Sequence, residues 1–111
     1  MTGPETSGFD AGTSVAKHLD QAIDLQRQGK PGEAEALYRL ILESDPDHGD
    51  ALNNLGILLR RQDRLNESVE VLRHATRNHP DFPSAFNSLG MSLARAGQFD
   101  DALTALRQAL V

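Results

Sequence analysis

Residues 51–59, Ala51-Leu52-Asn53-Asn54-Leu55-Gly56-Ile57-Leu58-Leu59, are answered 34 positions later by Ala85-Phe86-Asn87-Ser88-Leu89-Gly90-Met91-Ser92-Leu93. In the first stretch Leu52, Leu55, Gly56 and Leu59 fall at i, i+3, i+4 and i+7, one face of an α-helix. Phe86, Leu89, Gly90 and Leu93 repeat that face. The same step joins Leu25, Leu59 and Leu93, and it joins the prolines Pro46 and Pro80. Small residues recur at Ala22, Gly56 and Gly90 and at Ala34, Ser68 and Ala102. Large ones recur at Tyr38, Leu72 and Leu106, and Ile41, Ala75 and Ala109 keep the register. Gln21, Leu55 and Leu89 also align, less well in the first copy. Side-chain bulk in step over this many columns marks an internal repeat.

Each copy holds two helical stretches. After Gln62-Asp63-Arg64, the residues Leu65, Ser68, Val69 and Leu72 share a face; Phe99, Ala102, Leu103 and Leu106 do so in the next copy. Gly29-Lys30-Pro31 and Ala96-Gly97-Gln98 provide turns, with Pro31 suited to a first helical position. Asp45-Pro46 and His79-Pro80 close two copies, because the residue before proline is pushed out of the helical region. The expected helices are 14–28, 31–44, 49–62, 65–78, 83–96 and 99–111, each about 20 Å long. Small residues at the columns of Gly56, Ser68, Gly90 and Ala102 would let paired helices approach closely. One hairpin leaves a face uncovered, so stacking completes the core.

Composition agrees with an all-α chain. Among 111 residues there is no Trp and no Cys, aromatics are 5%, and the net charge is −5. The acidic balance argues against a dedicated nucleic-acid binder. Without cysteine there are no disulfides or thiolate metal sites. The start lacks the basic and apolar regions of a secretory signal, and no apolar run reaches the ~20 residues of a membrane span. A soluble cytoplasmic protein is expected. Residues 1–13, rich in Gly, Ser, Thr and Pro, read as a flexible tail, and 14–111 as one domain with repeats at about 15–48, 49–82 and 83–111.

The columns resemble the tetratricopeptide repeat pattern. The second copy reads Leu52-x-x-Leu55-Gly56-x-x-Leu59, then Ser68-x-x-x-Leu72, then Pro80; the third reads Phe86-x-x-Leu89-Gly90-x-x-Leu93, then Ala102-x-x-x-Leu106. The first departs, with His18 and Gln21 where large apolar residues belong, though Leu25, Ala34, Tyr38 and Pro46 fit. The resemblance covers 15–111. It implies a right-handed superhelical solenoid of three antiparallel helix hairpins, whose first helices line a concave groove for a peptide or partner segment. The wording Ala51-Leu52-Asn53-Asn54-Leu55-Gly56 is also similar to repeats fused to O-linked GlcNAc transferases, and to many bacterial repeat proteins.

On that arrangement the groove contacts are expected from Arg27, Asn53, Asn54, Ile57, Arg60, Arg61, Asn87, Ser88, Met91 and Arg95. Arg27, Arg61 and Arg95 recur at repeat spacing near the ends of first helices. They read either as a rail for carboxylates, which a guanidinium pairs bidentately, or as cations against the negative ends of helix dipoles. Asn53, Asn54 and Asn87 are weak helix formers that offer both donor and acceptor to a peptide backbone. The family's two-carboxylate clamp of Lys and Asn is not reproduced, since Ala16, Leu19, Asp50, Asn53 and Ser84 stand at its positions; chaperone-tail binding is not expected.

His18, His48, His74 and His79 show no i, i+4 metal spacing, and no phosphate loop or nucleophile elbow is present. No catalysis, cofactor or metal is expected. The sequence runs out inside the last helix, so Leu106, Ala109, Leu110 and Val111 are expected to expose an apolar surface suited to self-association, or to a following hairpin if the chain is a fragment. The leading expectation is an adaptor or scaffold. The alternatives are an accessory segment of a larger enzyme, such as a glycosyl- or sulfotransferase, and a homodimerising module.

Overall fold

The computed structural model describes the backbone from Gly3 to Val111 and the side chains from Ser14 onward. The tail expected at 1–13 lies outside the residues whose side chains are described. Six helices follow in order: α1 (Gly3–Arg27), α2 (Pro31–Ser44), α3 (Gly49–Arg61), α4 (Leu65–Asn78), α5 (Pro83–Arg95) and α6 (Phe99–Ala109). No strand occurs among the described residues. From α2 onward the bounds fall within two residues of those the periodicity gives; α1 begins well before residue 14.

The turns inside the three hairpins share one construction. Gly29, Asp63 and Gly97 all have positive φ, at 76°, 62° and 81°. The next residue then folds back onto the carbonyl five positions earlier: Lys30 N–H to Leu25, Arg64 to Leu59 and Gln98 to Leu93, at 2.8, 2.9 and 2.9 Å. This satisfies carbonyls that the helix end leaves without partners. The same residue's carbonyl opens the following helix by accepting from Ala34, Ser68 or Ala102.

Helices approach where the small columns fall. A Cβ on Gly56 would lie 2.4 Å from Leu72, and one on Gly90 would lie 2.6 Å from Leu106 and 3.2 Å from the carbonyl oxygen of Ala102. Leu72 therefore seats directly over Gly56. Three apolar clusters result. Ala22, Ala34, Tyr38, Leu55 and Leu59 bind the first hairpin to α3. Leu52, Ala75 and Ala85 join α3, α4 and α5. Val69, Leu72, Leu89, Leu93, Ala102 and Ala105 complete the third layer.

Polar ties also cross the hairpin boundaries. Arg64, the residue just before α4, grips Glu35 of α2 at 2.7 and 3.1 Å and Glu67 at 2.9 Å, while Arg39 reaches Glu35 at 2.9 Å. The Arg64 guanidinium, with Arg39 beside it, holds the Glu35 carboxyl below its ordinary pKa against the opposing effect of burial. Two of the histidines take structural contacts: His48 Nδ1 caps α3 by accepting from Ala51 N–H at 3.1 Å, and His74 pairs with Asp47 at 2.7 Å. This network on the second-helix layer is not foreshadowed by the repeat columns, because Glu35 and Arg64 fall in different columns.

Candidate functional site

The first helices α1, α3 and α5 carry the expected contact residues, and the structure sorts these into three groups. Asn54, Ile57 and Arg61 project from α3 toward Ile23, Gln26 and Arg27 of α1, and together these six line a depression of about 290 Å3. Its lining holds two guanidinium groups, two amides, two isoleucines and no carboxylate. Tyr38 donates to Gln26 Oε1 behind it, tying the amide to the core. Burial pushes the Tyr38 phenol up to about 12, with the positive charge of Arg61 working in the other direction.

The second group faces α5. Asn53 and Arg60 lie two helical turns apart on α3 and are only 8% and 9% exposed. Arg60 Nη1 donates to the carbonyl of Ser88 on α5 at 3.3 Å, and Ser88 is itself buried. Asn53 Oδ1 is sealed from solvent without a partner, the one such side-chain atom among the described residues. These three form the seam between first helices rather than an open surface. The sequence signal was present: Asn53 and Arg60 sit beside the Leu52–Leu59 stripe, on the flank where the next first helix must pack.

The third group is open. Met91 is 44% exposed, and Asn87 is also exposed. Arg27 pairs with Asp24 and Arg95 with Asp63, both at 3.3 Å. Arg61 has no carboxylate within ion-pair distance among the described residues. The three arginines therefore differ: two are partly neutralised at the surface and the central one is not.

At the far end, Leu110 and Val111 are exposed as expected, but Leu106 and Ala109 are partly covered, Leu106 lying against Gly90. Phe99 and Leu103 of α6 extend the apolar surface instead, at 70% and 49% exposure. They occupy the columns of Leu65 and Val69, which the third hairpin covers one repeat earlier. The opposite end is different. Lys17, Gln21 and Asp24 on α1 stand where Ala51, Leu55 and Leu58 are buried on α3, so that face is polar.

A larger hollow of about 720 Å3 is lined by Ser14, Val15, His18, Leu40, Glu43, Ser44 and Asp45. It borders the residues whose side chains are not described and carries none of the expected contacts. No helix among the described residues is long and apolar enough to cross a membrane.

A family model described as tetratricopeptide repeat matches residues 19–83 and 61–111. Among solved structures, an O-GlcNAc transferase mutant from Thermobaculum terrenum superposes with a TM-score of 0.86 at 28% identity, covering 90% of this chain but 19% of that one. The second repeat domain of Spaghetti (RPAP3), bound to the HSP90 peptide SRMEEVD, matches with a TM-score of 0.82 at 16% identity over 86% of this chain and 89% of that one. MamA matches with a TM-score of 0.80 at 17% identity over 86% of this chain and 56% of its own. At 16% and 17% identity the likeness is one of fold.

Proposed function

The chain belongs to the tetratricopeptide repeat family, and we propose that it acts as an adaptor that receives an extended segment of another protein along α1, α3 and α5. The observation that carries this reading is the depression between α1 and α3. Ile23 and Ile57 offer apolar contact there, Gln26 and Asn54 offer amides to a passing backbone, and Arg27 and Arg61 supply charge. A site with these parts holds a peptide and lacks a nucleophile or base to transform one. The solved relative bound to an HSP90 peptide supports a peptide ligand as a class. It does not carry its own ligand over, because the Lys and Asn positions of the carboxylate clamp are not matched.

Selection of a random peptide library on the 111-residue chain, repeated on Ile57→Glu, tests the groove. Ile57 is partly exposed, so the substitution places a carboxylate in the depression without opening the core. Peptides retained by the wild type and lost on Ile57→Glu are expected. Equal recovery on both proteins would remove the groove as the contact.

A second reading has its own observation. The 28% identity to a segment of an O-GlcNAc transferase favours an accessory role beside a catalytic domain, guiding protein substrates. The reading frame around this sequence decides it. A third concerns α6, whose exposed Phe99, Leu103, Leu110 and Val111 suit contact with a second copy. Sedimentation at micromolar concentration, with Phe99→Glu and Leu110→Glu beside the wild type, separates a dimer through this end from a monomer.

A further inference from the structure

Along α6, at about 100° per residue, Phe99, Leu103 and Leu110 fall within about 40° of one another. They form one stripe down the helix, and all three are exposed, at 70%, 49% and 88%. One flank of the stripe belongs to the core: Ala102 is buried there, and Leu106 lies against Gly90. The other flank faces solvent and holds two opposite charges, Asp100 and Arg107, about 60–80° from the stripe. They are seven residues apart, beyond the three- or four-residue spacing of a pair within one helix. Among the described residues neither has an ion-pair partner.

The other end of the array narrows what can cover this stripe. Head-to-tail stacking lays it on α1 of another copy, where Lys17, Gln21 and Asp24 stand at columns that are buried on α3. That arrangement dehydrates charged groups against an apolar surface and is disfavoured. Pairing α6 with α6 about a two-fold axis is the self-complementary alternative. Turning one helix end for end brings the same flank of both copies together. With the axis beside Leu103, Leu103 meets its own counterpart and Phe99 enters between Leu106 and Leu110 of the second copy. Asp100 then lies opposite Arg107 of the second copy, twice by symmetry. In a parallel pair the charged flank of one copy faces the core flank of the other, and both charges stay unpaired.

We propose that two copies of this chain associate through an antiparallel α6–α6 contact, with Phe99, Leu103 and Leu110 at its centre and two Asp100–Arg107 pairs across it. This rests on the self-association reading above and goes beyond it by fixing the partner face, the orientation and the charges that select both. The apolar stripe supplies the attraction and the charges supply the register. Exposed pairs are each worth only about 1.5- to 5-fold in affinity, but a register that opposes like charges is repelled. One helix from each copy makes a small contact, so the dimer is expected to dissociate in the micromolar range.

Sedimentation equilibrium of the 111-residue chain at low ionic strength tests it with charge-reversed variants. Asp100→Arg and Arg107→Asp each set like charges opposite one another in a homodimer, and each is expected to weaken association about 10-fold or more. Mixed in equal amounts, the two variants regain opposite charges at both pairs, and the mixture is expected to dimerise within about 3-fold of the wild type. Leu103→Glu is expected to abolish association. Circular dichroism and melting check the fold of each variant. The milder Asp100→Asn and Arg107→Gln are expected to weaken the dimer about 2- to 10-fold at low salt and to match the wild type at about 1 M salt. Single reversals that dimerise like the wild type, or a mixture that stays monomeric, would overturn the antiparallel pairing, while loss of the dimer on Leu103→Glu would still retain α6 as the contact. Oligomers that grow past the dimer with concentration would show head-to-tail stacking and overturn the pairing as well. A dimer indifferent to Leu103→Glu, or a monomer up to hundreds of micromolar, would remove the α6 reading with it.

Discussion

Ser68 Oγ lies 2.8 Å from Ser92 Oγ, and both side chains are fully buried. Ser68 also donates to the carbonyl of Gly56 at 2.7 Å. Its single proton is committed there, so Ser92 is the donor between the two hydroxyls. The chain Ser92 to Ser68 to Gly56 thus ties α5 to α4 and α4 to α3. Replacing Ser68 with Ala, which fits because Ala34 and Ala102 hold the same column, leaves the Ser92 hydroxyl without its acceptor and the Gly56 carbonyl with only its bond inside the helix. A loss of about 1–3 kcal/mol is expected. Ser92→Ala added to Ser68→Ala should cost less than the sum of the two single changes. Strictly additive losses in urea unfolding would show that the hydroxyls are not coupled.

Gly56→Ala directs a methyl into the Leu72 side chain, which lies 2.4–2.9 Å from the built Cβ. Overpacking of this kind costs about 1–3 kcal/mol, read as a lower denaturant midpoint with helicity retained. The first repeat carries Ala22 in this column and Tyr38, rather than Leu, in the column of Leu72, and both are buried in one cluster. An unchanged midpoint would mean that α3 and α4 separate without cost.

The three hairpin turns predict opposite signs at equivalent positions. Gly97 has φ 81° and nothing within 4 Å of a built Cβ, so Gly97→Ala isolates the left-handed penalty, about 1–2 kcal/mol. Asp63 already carries that strain at φ 62°, and Asp63→Gly should recover up to about 1 kcal/mol. The exposed pair it loses with Arg95 offsets only part of that gain. Thermal melts of the two variants should move apart; movement in the same direction would contradict the shared turn geometry.

Tyr38 is the only tyrosine and the chain has no Trp, so absorbance at 295 nm reports one group. Its phenol is raised from 10.0 to about 12, first by burial, with Arg61 opposing. The folded state thus holds the proton more tightly than the unfolded state. The stability it contributes is complete below about pH 10 and is lost as pH climbs from there to about 12. The 295 nm titration should therefore lag that of a urea-unfolded sample. Tyr38→Phe should lose this alkaline dependence along with the bond to Gln26. Coincident titrations would show that the ring is not buried.

The fold was legible because stacking imposes one size pattern on every hairpin. Gly56 and Gly90, or Leu72 and Leu106, are constrained identically and so appear in step. The site was legible only in outline. The columns located Asn54, Ile57 and Arg61 on the first-helix face, but they could not separate Arg60 from Arg61, adjacent residues of one type. Burial of the first depends on where α5 crosses α3, a distance relation that a 34-residue period does not encode. The same limit hid Phe99 and Leu103, whose columns are covered in the second repeat and open in the third.

Among the described residues the polar ties between hairpins have one end in the middle hairpin: Glu35 to Arg64, Arg39 to Glu67, Arg60 to Ser88, Ser68 to Ser92, Asp63 to Arg95 and Arg73 to Asp101. Nearest-neighbour coupling of this kind makes melting cooperative along the array. In the 111-residue chain the second hairpin, which touches both of the others, is then the last to exchange its amide hydrogens. A groove running along α1, α3 and α5 would for that reason stiffen when occupied, and a bound segment should slow exchange in α5 and α6 well beyond the residues it touches.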